Sequence, residues 1–168
     1  YSMDYLVGST LEELLAERGS LPLGFTIEVF LAVLEGLSYA HGNNIVHRDI
    51  KPANIFICNA ADSKKPQVKI LDFGISKLVG AGAKAQQLTA VGEIFGSPFY
   101  MSPEQCRSET TDHRCDIYAI GCMLYEMLTG EVPFVSSNII ETFIRHAQEP
   151  PPLFTVADLD AETNMRLQ

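Results

Sequence analysis

His47-Arg48-Asp49-Ile50-Lys51-Pro52-Ala53-Asn54 gathers an acid, a lysine and a side-chain amide within eight residues. Asp49 can take a proton from a hydroxyl, Lys51 can neutralise charge on a phosphoryl group in transit, and Asn54 can offer an oxygen to Mg²⁺. The combination points to phosphoryl transfer.

Two further motifs follow in order, Asp72-Phe73-Gly74 and Ser102-Pro103-Glu104. Together, His47-Arg48-Asp49 with Asn54, the Asp-Phe-Gly triplet and the Ser-Pro-Glu triplet resemble the catalytic loop, the magnesium-binding triplet and the end of the activation segment of protein kinases. Ser102 stands where the family usually has Ala. The resemblance implies an α+β fold, mainly α in this stretch, namely the large lobe of a kinase with short β-hairpins around the catalytic loop. It implies ATP and Mg²⁺ as cofactors and a protein as substrate. Asp49, Lys51 and Asn54 would be catalytic, and Asn54 and Asp72 would hold the metal. Lys51 is similar to the lysine of Ser/Thr-directed members, and the wording Ile-Lys-Pro-Ala-Asn and Met-Ser-Pro-Glu-Gln resembles the bacterial branch.

The chain has 168 residues, 46% of them hydrophobic, enough for one domain with a sizeable core. Its net charge of −9 argues against a general grip on nucleic acid or an anionic membrane, and Lys64-Lys65 is the only adjacent basic pair. No run approaches eighteen apolar residues, and no charged-then-apolar leader opens the chain, so a cytoplasmic protein with no membrane span in this stretch is expected. The cysteines at 58, 106, 115 and 122 have no zinc-ligand spacing and read as reduced thiols. Cys58 and Cys122 lie in apolar runs, Cys106 and Cys115 in more polar ones.

Outward from the loop, Ile45-Val46 and Ile55-Phe56-Ile57 read as short strands on either side, and Val68 to Leu71 as a strand ending at Asp72. The hairpin between the last two would bring Asn54 and Asp72, eighteen residues apart, to the same end of neighbouring strands. By the resemblance, His47 and Phe73 belong to a stack of regulatory side chains and Phe56 lies beneath the adenine; from the residues alone, His47 and Phe56 are equally well plain core.

Upstream, Tyr1 to Leu6 reads as a strand broken by Gly8. The resemblance makes residues 1–8 the hinge region, with Met3 as gatekeeper and the backbone of Asp4 and Leu6 contacting adenine; an ordinary edge strand is the alternative. Ser9, Thr10, Glu12 and Glu13 offer two overlapping capping boxes for a helix to about Arg18, ended by Gly19. Thr26 to His41 carries Ile27, Phe30, Leu31, Leu34 and Leu37 at helical steps, predicting a helix with that face on the core and a left-handed stop at Gly42-Asn43-Asn44.

Downstream, residues 77–96 are rich in Gly, Ala and Gln, a composition that suggests a mobile, functional loop. Thr89 is the only hydroxyl there. In a kinase it would be a phosphorylation site paired with Arg48 and Lys77; otherwise it is a solvated threonine. Ser97 stands where Ser/Thr kinases carry Thr and would bridge Asp49 and Lys51. Ser102-Pro103 starts a short helix. Asp116 opens a helix whose Ile117–Leu128 stretch has one charge, Glu126, and so belongs in the middle of the domain. By the resemblance Asp116 holds the backbone of the catalytic loop; alternatively it is a dipole partner at a helix start. Gly130 ends that helix. Asn138 and Glu141 cap a last one to about Gln148, with Ile139, Ile140 and Phe143 on one side, closed by Pro150 to Pro152, before a weaker helical stretch from about Ala157.

No glycine-rich phosphate loop, nucleotide-gripping lysine or partner glutamate is present, nor the late arginine expected to pair with Glu104. Residues 1–168 are thus expected to be a partial kinase domain, with 9–168 the large lobe and the small lobe and last helices lying outside it, and to be inactive alone. Three classes fit: a Ser/Thr protein kinase, a pseudokinase acting as a nucleotide- or protein-binding module, and a small-molecule kinase. Members of the last tend to lack Lys51 and a Ser-Pro-Glu segment.

Overall fold

A computed structural model describes residues 5–58, 66–73 and 98–154. The described part is mainly helical, with β1 (Gly8–Thr10), α1 (Leu11–Arg18), α2 (Leu23–Gly42), β2 (Ile55–Cys58), β3 (Gln67–Ile70), α3 (Pro103–Cys106), α4 (Arg114–Thr129) and α5 (Ile139–Gln148). Single 3₁₀ turns occupy Pro52–Asn54 and Pro98–Tyr100. The three strands form one antiparallel sheet in the order β1-β2-β3.

The sheet departs from the sequence expectation at its first strand. Gly8 belongs to β1 rather than breaking a preceding strand, and Tyr5 to Val7 lie outside any ladder. A Cβ at Gly8 would sit 2.0 Å from the Ile57 carbonyl oxygen, so only glycine allows β1 this close to β2. Ile45-Val46 is not a strand either; pairing with β1 and β3 already satisfies both edges of β2. The β2–β3 hairpin forms as expected, with Ile55 opposite Ile70 and Cys58 opposite Gln67.

Of the two capping boxes available to α1, Thr10–Glu13 is the one used: the Thr10 hydroxyl accepts from the Glu13 N–H at 3.2 Å and the Glu13 carboxylate from the Thr10 N–H at 2.8 Å. The helix ends at Gly19 with φ 73°.

The packed face of α2 matches the expected one at Leu37, Phe30 and Leu34 but not at Ile27 and Leu31. Thr26, Val29, Val33, Leu37 and Ala40 are buried, Phe30 and Leu34 are half-buried against the core, and Ile27 and Leu31 face outward. Glu28 and Glu35, both exposed, mark the outer side, and Leu31 falls between them. Gly42 is the last helical residue, and the left-handed position is Asn44, with φ 60°. By length and mean hydropathy (1.5) alone this helix could cross a membrane, but Glu28 and Glu35 interrupt its apolar run and its inner face packs on β3 and α4.

The apolar α4 runs through the core, burying Cys115, Ala119, Ile120, Cys122, Met123 and Met127, and stops at Gly130 with φ 82°. Cys115 is therefore a core residue despite its polar sequence surroundings, and burial pushes its thiol up to about 12. On α5, Asn138 caps as expected by accepting from the Ile140 N–H at 2.9 Å. Glu141 instead pairs with Ser136 and Arg145. The buried face of α5 centres on Thr142 and His146 while Ile140 is exposed, because His146 packs on Phe134 and Tyr118. The stretch from Ala157 lies outside the described residues.

Candidate active site

The site is assembled around a loop that has little regular structure of its own and is held by α4 and by the end of the hairpin. Asp116, fully buried on the first turn of α4, accepts the His47 N–H on Oδ2 at 2.9 Å and the Arg48 N–H on Oδ1 at 2.7 Å. Of the two roles open to Asp116 on sequence grounds, its geometry is that of a loop holder. The same carboxylate takes a further bond that sequence reasoning missed, from His41 Nε2 on α2 at 2.8 Å. Three N–H donors, with the Cys115 thiol as a weaker fourth at 3.7 Å, thus compensate a carboxylate out of reach of water.

His47 extends the network to the hairpin. Its Nε2–H donates to the Leu71 carbonyl at 2.9 Å, and its Nδ1 accepts the Asp49 N–H at 3.2 Å, so its partners fix the tautomer. Its ring lies against Phe73, with centroids 4.8 Å apart. His47 is fully buried, but its bonds make it a connector between the loop and the Asp72-Phe73 strand end.

Leu71 is bracketed, since its N–H donates to the Asn54 carbonyl at 2.8 Å while its own carbonyl serves His47. Asp72 follows at once with φ 50°, and Arg48 has φ 65°, both left-handed positions disfavoured for residues with a Cβ. Two such residues flanking Asp49, Lys51 and Asn54 are strain of the kind that concentrates at functional sites.

The loop's own side chains converge. Lys51 Nζ lies 3.1 Å from Asp49 Oδ2, and Asn54 Nδ2 donates to the Asp49 backbone carbonyl at 2.8 Å and to Oδ2 at 3.2 Å. With its NH₂ engaged there, Asn54 has its carbonyl oxygen to offer a cation, and the exposed Asp72 carboxylate lies one residue beyond the Leu71 bond to Asn54. Two hard oxygen donors at the same hairpin end fit Mg²⁺. Arg48, Asp49, Lys51, Tyr100 and Gln105 line a small depression beside the loop.

Phe56 is half-buried on β2 and Leu6 half-buried ahead of β1. Met3, Asp4, Lys77, Thr89 and Ser97 lie outside the described residues. Past Ser97, Tyr100 donates its hydroxyl to Glu126 on α4, a pairing with no local sequence signal. Burial holds the Glu126 carboxyl above its ordinary range, with the nearby Glu12 adding to the effect and the Tyr100 hydrogen bond opposing it. Burial pushes the Cys106 thiol up to about 11.

A family model of the protein kinase domain matches residues 1–166. The chain is 39% identical over 151 residues, 90% of its length, to serine/threonine-protein kinase pkn3 of Myxococcus xanthus, of which it covers 27%. It is 38% identical over 149 residues, 89% of its length, to serine/threonine-protein kinase PknB of Mycobacterium leprae, covering 23% of that protein. It is 39% identical over 163 residues, 97% of its length, to a probable serine/threonine-protein kinase of Streptomyces coelicolor, again covering 23%. The chain spans about a quarter of the length of these curated relatives. With its loop, hairpin and central helix arranged as described, the chain belongs to the protein kinase domain family.

Proposed function

We propose that the protein carrying this chain transfers the γ-phosphoryl group of ATP to Ser or Thr hydroxyls of a protein substrate in the cytoplasm. In this reading Asp49 accepts the hydroxyl proton and aims the oxygen, and Lys51 steadies charge on the transferred group. Asn54 and Asp72 would hold Mg²⁺, which when bound neutralises charge on the nucleotide phosphates. Asp116 and His47 keep the loop and the Asp72 strand end in register. Phe56 would underlie the adenine, with Met3, Asp4 and Leu6 at its edge. Thr89, once phosphorylated, would pair with Arg48 and Lys77, and Ser97 would bridge Asp49 and Lys51.

The observation that carries the reading is the Asp49 carboxylate contacted by both Lys51 and Asn54, in a loop bonded through Leu71 to the strand end that bears Asp72. The test is transfer of radiolabel from γ-labelled ATP to a generic protein substrate by the intact protein, followed by phosphoamino-acid analysis. Label on Ser or Thr, with kcat lowered about 10²- to 10⁴-fold by Asp49→Asn, is expected. An intact protein that transfers nothing, or an Asp49→Asn variant as fast as the parent, overturns the proposal.

A further inference from the structure

Gln105, at the end of the Met-Ser-Pro-Glu-Gln stretch, makes two hydrogen bonds through one side chain. Its Oε1 accepts from the Ser102 N–H at 3.0 Å, and its Nε2 donates to the Arg48 carbonyl at 3.0 Å, across 57 residues of sequence. One partner can only donate and the other only accept, so they fix which way the amide faces.

The second bond falls on the strained residue of the loop. Arg48 has φ 65°, and the direction in which the chain leaves it sets where Asp49 stands. Its N–H is held by Asp116 Oδ1 at 2.7 Å and its carbonyl by Gln105. A residue gripped at both its N–H and its C=O cannot relax toward the right-handed region without breaking one of the bonds. Gln105 also lines the depression that Asp49 and Lys51 share.

We infer that Gln105 is a positioning residue for the phosphoryl-transfer step, locking the left-handed Arg48 backbone so that Asp49 keeps its place beside Lys51 and Asn54. The inference rests on the kinase reading above. It deepens that reading by coupling the end of the Ser-Pro-Glu-Gln segment directly to the base.

The two halves of the amide can be separated. Gln105→Glu retains the acceptor for the Ser102 N–H, and glutamate is a favoured residue at this third helical position, so the short helix keeps its cap. The substitution removes the donor to Arg48 and sets a carboxylate oxygen against its carbonyl. Gln105→Met keeps the length of the side chain and loses both bonds.

In the intact protein, with active sites counted by titration, Q105E is expected to lower kcat about tenfold with the KM for ATP within about twofold and a melting temperature between those of the parent and Q105M. Q105M is expected to show the same kcat loss together with a lower melting temperature. Parental kcat in Q105E overturns the inference. So does a loss in both variants that disappears once activity is divided by the folded fraction, because that is the signature of a cap and nothing more. Absence of transfer by the parent protein is a different result, which removes the kinase reading itself.

Discussion

The Nε2–H of His47 bonds the carbonyl oxygen of Leu71 at 2.9 Å, one residue before Asp72, so the loop bearing the proposed base and the strand bearing the proposed metal ligand are fastened by one imidazole. His47→Phe retains a ring to lie on Phe73 but leaves the Leu71 carbonyl without its donor. A loss of about 1–3 kcal/mol is expected in urea unfolding. The KM for Mg²⁺-ATP should also rise, read by titrating Mg²⁺ at fixed ATP.

Asp116 satisfies two loop N–H groups and His41 with one buried carboxylate. Asp116→Ala orphans all three donors. Destabilisation of about 3–5 kcal/mol is expected, enough to remove much of a domain's margin. Asp116→Asn can serve only one of the two backbone groups and should fall between. Differential scanning calorimetry of the three proteins checks the order.

Glu126 is held above the usual carboxylate range chiefly by burial, while Tyr100 donates to it. A carboxyl raised in the folded state opposes folding fully above its raised value, and this opposition vanishes below its unfolded value. Glu126→Gln keeps an acceptor for Tyr100 without the charge. It should raise stability at neutral pH, with the advantage shrinking as the pH falls through the carboxylate range. Thermal melts at a series of pH values decide.

His146, 3% exposed and bonded through Nδ1 to the Tyr118 hydroxyl at 2.7 Å, is lowered by burial from 6.5 to about 4. For a base depressed in the folded state, protonation favours unfolding. Its contribution is intact above about 6.5 and is lost as the pH falls toward 4. Stability should drop by about 2 kcal/mol over that interval, beyond the drop seen in His146→Gln. Urea midpoints of the two proteins across the interval give the difference directly.

What was legible in the chain was written locally. Thr10 with Glu13, Gly19, Gly130 and Asn138 announced helix ends, because capping chemistry needs particular residues within a few positions. The Asn54–Asp72 hairpin followed from two apolar runs around a polar turn. The inner face of α2 is only partly legible, because a helix apolar nearly all round has no unique stripe; Leu37, Phe30 and Leu34 turn inward while Ile27 and Leu31 do not, and the pair Glu28 and Glu35 is the better guide. The strand Gly8–Thr10 escaped because three small residues carry no strand signature; β2 imposes their pairing. His41 on Asp116 and Gln105 on Arg48 join residues 75 and 57 apart, and no local pattern encodes such contacts. The role of Asp116 was foreseen through family resemblance alone.

The β2–β3 ladder also works as a ruler. With Ile55 opposite Ile70, the backbone bond between Asn54 and Leu71 extends the ladder toward Asp72. Slippage by a single residue would shift the strand end, and Asp72 beyond it, by about 3.3 Å and turn the side chains of β3 to the other face of the sheet. Lengthening the connection between Cys58 and Gln67 alters neither pairing nor phase. Variation in this lineage should therefore accumulate as insertions at the far end of the hairpin, while a deletion inside either strand should abolish the proposed transfer even though every chemical group survives.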